Sequence, residues 1–316
     1  MIVTVTANTT LDLTLFVPTF GKNQTLRATR TVQSMGGKPT DASWILGEMR
    51  IPRLALGFAA GATGKKVEAM LQARGVTTDF LWVDGETRTN VVLVVEEERW
   101  QTTITTTTIT ITREQIDALR RRYVSALDGA TCIVLGGTLP RGMEPSFYTD
   151  FISLARERNI PVIFDAAEPN LSAGLAARPS YIKPNRDELE GLTGRRIDTL
   201  DDAYHAGREI IERYGTSSVI TLGEDGALAV LPDRAYSLPP LKVNVVSTSG
   251  AGDGMLAGLA AAVSRGQPIE DGLRLGAAAA AAVCLMPGTA DCRREDVERF
   301  LSEVRIVPYP DRPSHR

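Results

Sequence analysis

Apolar and polar residues follow two periods along this chain, and each period predicts a different kind of element. From about residue 132 onward, short runs rich in β-branched residues alternate with longer stretches in which apolar residues recur every three or four positions. The short runs are typical of buried strands and the longer ones of amphipathic helices. Such alternation predicts right-handed crossovers around a mainly parallel sheet with helices on both faces.

The strands and helices predicted in this way cover most of the chain. The strands are Cys132–Leu135, Val162–Asp165, Tyr181–Lys183, Val219–Leu222 and Ala227–Val230. The helices are Gly36–Met49, Lys65–Arg74, Ser146–Arg158, Asp201–Tyr214, Asp253–Arg265, Glu270–Met286 and Arg294–Val304.

Two segments break this alternation. Leu11 to Gln33 is strand-like with breakers inside it, and Glu86 to Thr112 ends in Thr102–Thr112, which consists only of threonine and isoleucine. β-Branched residues favour strands. We expect the two segments to form a small separate sheet that is inserted into the α/β domain and acts as a lid, the alternative being edge strands of the main sheet.

Size, charge and cysteine content limit the class of protein. The 316 residues predict one α/β domain over 1–316 with the lid inserted at about 11–33 and 86–112. The net charge is −3 and no basic stretch stands out, which argues against a nucleic-acid partner. The alanine-rich run 276–286 is too short to span a membrane, so no membrane partner is expected. Three cysteines with unpaired spacing favour a reduced, cytoplasmic protein.

A turn of small residues precedes one predicted helix. Gly250-Ala251-Gly252 stands directly before Asp253. Free N–H groups at a helix start, together with the helix dipole, favour a bound phosphate. A carboxylate there would repel a resting phosphate, so Asp253 is interpreted either as a general base for phosphoryl transfer or as a simple N-cap residue.

Other loops carry groups suited to anions and cations. Gly36-Gly37-Lys38 precedes a helix, and Arg88 opens a strand of the predicted lid. Asn185 and Glu188 lie three residues apart at a helix start, a spacing that suits either a hydrated magnesium ion or a capping box. The turn 221–226 ends a strand and is interpreted as a hairpin turn or as a nucleotide contact.

Taken in order, these segments resemble the PfkB-type members of the ribokinase superfamily, in the branch of fructose-1-phosphate kinase and tagatose-6-phosphate kinase. The resemblance covers almost the whole chain and rests on seven segments, which are Asn8–Asp12, Gly36–Lys38, Thr87–Asn90, Gly137–Gly142, Ile182–Asn185 with Glu188, Thr221–Gly226, and Thr248–Asp253.

The resemblance implies a ribokinase-like three-layer α/β/α fold with a β-sheet lid, and an ATP- and Mg²⁺-dependent kinase that forms a homodimer through the lid. Asp253 would be the catalytic base, and the N–H groups of Gly250, Ala251, Gly252 and Asp253 would form the anion hole. The ATP site would include Lys183, Asn185, Glu188, Thr221, Gly223, Gly226 and Thr248, with Asn185 and Glu188 holding Mg²⁺ through water. The sugar-phosphate site would include Asp12, Gly36, Gly37, Lys38, Asp41, Arg88, Asn90 and Thr138.

Departures from the family pattern cluster on the sugar side, where Asn8 is followed by Thr9 instead of proline and two more follow the Gly36–Lys38 segment. Pro39 stands where relatives usually have glycine, and Asp41 where they usually have asparagine. Asp for Asn replaces an amide donor by a carboxylate. The expected acceptor is a ketohexose phosphate, fructose 1-phosphate or tagatose 6-phosphate. The alternatives are fructose 6-phosphate, a free sugar or a nucleoside, or a nucleotide- or sugar-binding protein without turnover.

Overall fold

Two separate β-sheets organise the chain in the computed structural model, which describes residues 1–309. The strands, in chain order, are β1 (Ile2–Thr6), β2 (Thr10–Val17), β3 (Arg30–Gly36), β4 (Arg53–Ala59), β5 (Thr77–Trp82), β6 (Arg88–Val95), β7 (Trp100–Ile104), β8 (Cys132–Gly136), β9 (Val162–Asp165), β10 (Tyr181–Ile182), β11 (Ser217–Thr221), β12 (Ala227–Val230), β13 (Ala235–Leu238) and β14 (Val307–Pro308).

The helices of residues 1–309 alternate with these strands. They are α1 (Lys38–Glu48), α2 (Gly61–Ala73), α3 (Arg113–Ala126), α4 (Ser146–Glu157), α5 (Asn170–Ala176), α6 (Arg186–Thr193), α7 (Leu200–Tyr214), α8 (Ala251–Ser264), α9 (Ile269–Cys284) and α10 (Arg294–Leu301). Within this part of the chain, no helix is long and apolar enough to cross a membrane.

The main sheet has ten strands in the order β14-β13-β12-β11-β10-β9-β8-β1-β4-β5. Pairing is parallel from β11 to β5 and antiparallel from β11 to β14. One apolar core joins one face of the sheet to α3, α4, α6 and α7, and a second joins the other face to α1, α8, α9 and α10. The predicted three-layer α/β/α architecture is confirmed.

The lid is a four-stranded sheet in the order β3-β2-β6-β7. Its separation from the main sheet confirms the predicted small separate sheet and rules out the edge-strand alternative. The prediction of a strand over Thr102–Thr112 was wrong, because only residues as far as Ile104 pair with β6. β-Branched residues form a strand only where a partner edge is available. Further along, Ile109 and Ile111 are buried in the main core instead.

Several elements were not predicted. These are β4, β5, β13, β14 and helices α3 and α5. Three predicted helix starts were also displaced: α1 begins at Lys38, α2 at Gly61 and α8 at Ala251. The shift in α8 matters for the site, because it places Asp253 in the first turn of the helix rather than at its cap.

The backbones of α8 and α9 approach so closely that only glycine fits at their crossing. A β-carbon at Gly258 would overlap the backbone of Gly276. We therefore expect Gly258→Ala to lower the free energy of unfolding by about 1–3 kcal/mol, since backbone has no rotamer with which to make room. Thermal unfolding followed by circular dichroism measures this. The matched control is Gly129→Ala, whose β-carbon meets nothing within 4 Å; equal melting temperatures for the two variants would contradict the packing argument.

Candidate active site

The carboxyl ends of the parallel strands gather most of the predicted residues at one edge of the main sheet. Asn8 follows β1, Thr138 follows β8, Asp165 ends β9, and Lys183 follows β10. Ligands of open α/β sheets bind outside this edge. The lid strands β2 and β6 bring Asp12 and Asn90 to it, because the two residues are register neighbours.

The Gly250–Asp253 turn forms the start of α8. Gly250 has φ +79°, and a β-carbon there would overlap the backbone of Ala290, so glycine is required on both grounds. The N–H of Ala251 donates to the Thr248 carbonyl at 3.2 Å, and that of Asp253 to the Gly250 carbonyl at 3.0 Å. Among residues 1–309, the N–H groups of Gly250 and Gly252 have no hydrogen-bond partner. Two amides of this turn thus lack a partner in the described part of the chain, and the role of the turn as an anion hole stays a prediction.

Asp253 is buried in the first turn of α8, with 8% of its surface exposed. No side chain caps this helix, so the N-cap interpretation of Asp253 was wrong. Burial, followed by the charge of Asp165, raises the pKa of Asp253 to about 7, against the opposing charges of Lys183 and Lys38. A carboxylate that titrates near neutral pH is suited to accepting a proton there.

Asp165 is a central residue of this region that the sequence analysis missed. Its side chain is fully buried, accepts a hydrogen bond from Lys38 Nζ at 2.6 Å and forms an ion pair with Lys183 Nζ at 2.8 Å. Burial alone would raise the pKa of Asp165, but the two lysines lower it and keep the group ionised. A charged residue at the end of the apolar strand Val162–Phe164 is the sequence signal that could have identified it.

Lys38 lies between two carboxylates. It donates to Asp165 and, also at 2.6 Å, to Glu188 Oε1. Burial would lower its pKa, but Asp165 and Glu188 outweigh burial and raise it. The structure thus joins Lys38 to the Asn185–Glu188 segment, while its role toward a substrate phosphate stays a prediction.

Asn185 and Glu188 form a reciprocal capping box at the start of α6. Asn185 Oδ1 accepts from the Glu188 N–H at 2.8 Å, and Glu188 Oε2 accepts from the Asn185 N–H at 2.9 Å. Each oxygen keeps a lone pair that could accept from water bound to a cation. In the part of the chain that is described, no group of three His, Cys, Asp or Glu could hold a metal ion directly. The pair therefore fits only a cation that keeps most of its waters.

The predicted nucleotide residues lie beside this segment. The Thr221 N–H donates to the Pro184 carbonyl at 3.0 Å, and Thr221 forms an isolated parallel β-bridge with Asn185. Gly223 and Gly226 lie in the turn between β11 and β12, so the hairpin interpretation is confirmed and the nucleotide contact stays a prediction. Thr248 meets the lid, because its N–H donates to Gln101 of β7 at 3.2 Å.

On the sugar side, Asp12 accepts from Asn90 Nδ2 at 3.2 Å. Burial raises the pKa of Asp12 to about 6, although hydrogen bonds from Thr289 and Asn90 oppose the rise. Thr289 was not predicted. Gly36 leaves room for this carboxylate, since a β-carbon at Gly36 would overlap it, and Gly37 has φ +99° at the start of α1.

Arg88 connects the lid with the main domain. Its Nε donates to Thr10 Oγ1 at 2.7 Å and its Nη2 to Thr138 Oγ1 at 3.0 Å. Asn8 Nδ2 donates to the same Thr138 hydroxyl at 3.1 Å. Arg88 and Thr138, predicted separately, thus lie in one polar cluster, in which an arginine fork could hold a phosphate.

The two departures after the Gly36–Lys38 segment lie in the first turn of α1. Pro39 removes an N–H that has no intrahelical partner at that position, so the helix tolerates it. Asp41 is 3% exposed, and burial, followed by the charges of Asp253 and Asp12, raises the pKa of its carboxyl group well above the ordinary value.

The fold has three α/β/α layers and a small separate sheet. At the start of α8, a buried aspartate with a raised pKa lies beside two amides that have no partner among residues 1–309. This arrangement is suited to phosphoryl transfer. The chain belongs to the pfkB family of carbohydrate kinases, whose profile its residues 3–296 match. The predicted family is confirmed, and the protein is a carbohydrate kinase.

Relatives and solved structures match over nearly full length. The chain is 28% identical over 310 residues to 1-phosphofructokinase of Borreliella burgdorferi, covering 97% of this chain and 98% of the relative. It is 33% identical over 308 residues to 1-phosphofructokinase of Haloferax volcanii, with 97% and 98% covered. The structure of phosphofructokinase-2 from Escherichia coli in complex with fructose-6-phosphate superposes with a TM-score of 0.85 at 26% identity, covering 96% of this chain and 98% of that one.

Proposed function

We propose that this protein transfers the γ-phosphate of ATP to a hydroxyl of fructose 1-phosphate, with Asp253 as the base. The observation that carries the proposal is the start of α8, where a buried aspartate with a pKa near neutrality adjoins two unpartnered amides. A base and an anion hole side by side are what phosphoryl transfer to an alcohol needs. The names of the full-length relatives support fructose 1-phosphate as the acceptor.

In the proposed reaction, Asp253 removes the proton from the attacking hydroxyl. The hydroxyl oxygen then forms a bond to the γ-phosphorus, the bond from that phosphorus to the β-phosphate oxygen breaks, and ADP leaves with the bonding electron pair. The N–H groups of Gly250 and Gly252 would stabilise the negative charge on the transferred group, as would Lys183, whose Nζ lies 3.3 Å from the position of a β-carbon on Gly252. Mg²⁺, held through water by Asn185 and Glu188, would neutralise part of the phosphate charge.

The second candidate acceptor is fructose 6-phosphate. It is supported by the structural likeness to phosphofructokinase-2 in complex with that sugar. The two sugars differ in which end carries the phosphate, so the Arg88 cluster would hold a different end of the molecule in each case. A coupled ATP-consumption assay with both sugars, tagatose 6-phosphate and the free sugars separates the candidates.

Asp253→Asn tests the proposed base. We expect kcat on fructose 1-phosphate to fall at least about 100-fold while ATP still binds, because the amide cannot accept the proton. The wild-type kcat/KM should fall as the pH drops through about 7, since a protonated Asp253 is inactive. The coupled assay and ATP titration calorimetry measure the two effects. Near-normal turnover of the variant would remove Asp253 from the role of base.

Arg88→Ala tests the phosphate-binding role. We expect KM for the phosphorylated sugar to rise about 10- to 100-fold with a smaller change in kcat. The reason is that the variant loses a bidentate charge-assisted contact that binds the substrate both before and during the chemical step. Arg88→Lys is the matched control, because it keeps the positive charge but loses the bidentate guanidinium. Its KM should lie between those of the wild-type protein and Arg88→Ala. An unchanged KM in the alanine variant would mean that no substrate phosphate is held by Arg88.

We also propose that the lid sheet forms a homodimer. Phe20, beside the lid strands, and Ile104 at the end of β7 expose 49% and 54% of their surfaces, which favours burial against another copy. Ile104→Lys should shift the protein toward monomer in sedimentation equilibrium. Val307→Lys, a change at a comparably exposed residue of β14, is the control. A wild-type monomer, or equal dissociation of both variants, would refute the lid dimer.

A further inference from the structure

The lid sheet contacts the chain directly before α8 from both of its edges and from the face between them. The segment concerned is 246–249, which leads into the Gly250–Asp253 turn. One edge contact comes from β7 and the other from β3, the two outer strands of the lid. Between these edges, Val246 packs against the apolar lid cluster that Phe16, Val92 and Val94 form.

Gln101 of β7 makes the contact at one edge. Its Oε1 accepts from the Thr248 N–H at 3.2 Å and from Ser247 Oγ at 3.3 Å. Because a backbone N–H can only donate, the bond from Thr248 assigns the oxygen of the Gln101 amide to this side. Gln101 lies opposite Val94 in the register, so its side chain stands on the same face of the lid as Val94.

Ser34 of β3 makes the contact at the other edge. Its Oγ accepts from the Thr289 N–H at 2.8 Å, and Thr289 Oγ1 shares a hydrogen bond with Ser249 Oγ at 2.9 Å. Ser34 and Thr289 are buried, with 3% and 4% of their surfaces exposed. Water therefore competes little for these bonds, and the segment is held on both sides.

The contacts of Gln101 continue into the turn that starts α8. Ser247 Oγ, which donates to Gln101, also accepts from the Ser249 N–H at 3.2 Å. The Thr248 carbonyl accepts from the Ala251 N–H at 3.2 Å. Gln101 is thus connected through one residue to the peptide groups of the turn whose N–H groups would face the transferred phosphoryl group.

We propose that Gln101 is a positioning residue, whose amide oxygen holds residues 247–249 so that the N–H groups of the Gly250–Asp253 turn point at the phosphoryl group. The inference rests on the proposed function of that turn as an anion hole. Asp12 and Asn90 lie on β2 and β6 of the same lid. A sugar bound to them would favour the lid position in which Gln101 meets the turn, so acceptor binding and assembly of the anion hole are coupled.

Gln101→Met tests the acceptor oxygen, because methionine is of similar length but is only a weak acceptor. We expect kcat on fructose 1-phosphate to fall about 10-fold while both KM values change less than about 3-fold, since the lost contact acts on transition-state stabilisation. Gln101→Glu keeps an acceptor oxygen, and its kcat should lie between those of Gln101→Met and wild type. Thr103→Val is the matched control, because Thr103 lies two residues along β7, opposite Val92. Its kcat should equal that of wild type.

Hydrogen exchange of the Thr248 amide tests the contact without substrate and therefore independently of the proposed function. Amide-resolved exchange by NMR should be about 5-fold faster in Gln101→Met than in wild type and in Thr103→Val, because the acceptor of this N–H is lost. Addition of fructose 1-phosphate should slow the exchange in wild type and leave it nearly unchanged in Gln101→Met, which measures the coupling.

Two results would overturn the proposal. Equal exchange at Thr248 in Gln101→Met and wild type would show that Gln101 does not hold the segment. Faster exchange together with an unchanged kcat would leave Gln101 as a contact without a positioning role. Failure of the proposed function gives a different pattern, in which Asp253→Asn keeps its turnover while exchange at Thr248 still depends on Gln101.

Discussion

The candidate site depends on one buried carboxylate, that of Asp165. It accepts from Lys38 of α1 and pairs with Lys183 of the segment before α6, and Lys38 extends the network to Glu188. An unpaired charge at this depth would cost several kcal/mol, so neither lysine can leave without a large penalty. The ends of β9, β10 and α1 are therefore held in one arrangement, and the start of α8 packs against them. The geometry around Asp253 follows from this network.

The same network shapes the pKa of Asp253. Four carboxyl groups, those of Asp12, Asp41, Asp165 and Asp253, are buried close together, while two lysines provide most of the balancing charge. Asp165 forms short ion pairs with both lysines, which lower its pKa and keep it ionised. Less favourable charge remains for Asp253 and Asp41, so burial raises the pKa of both groups. Burial and the division of two cations among several acids thus assign different protonation states to chemically identical groups.

The sequence was sufficient for features that depend on neighbours in the chain. The βα alternation, the separate lid and the Gly250–Asp253 turn follow from local period and residue type, and the structure bears out the first two. The pairing of Lys38 with Asp165 spans 127 residues, and no local pattern reports it. The Thr102–Thr112 run was misinterpreted for a related reason. Its β-propensity is real, but whether a partner edge continues past Ile104 is decided by the lid as a whole.

The charge balance also changes what the departures at Pro39 and Asp41 mean. Pro39 lies where the first helical turn has no hydrogen bond to lose, so α1 keeps its position. Burial, followed by the charges of Asp253 and Asp12, raises the pKa of Asp41 well above its ordinary value, which favours a neutral side chain at this position, as asparagine would supply. Neither departure then requires an acceptor different from that of the relatives. Discrimination between sugar phosphates would fall instead to Arg88, because its guanidinium joins the lid to Thr138 of the main domain and can hold only one end of the sugar.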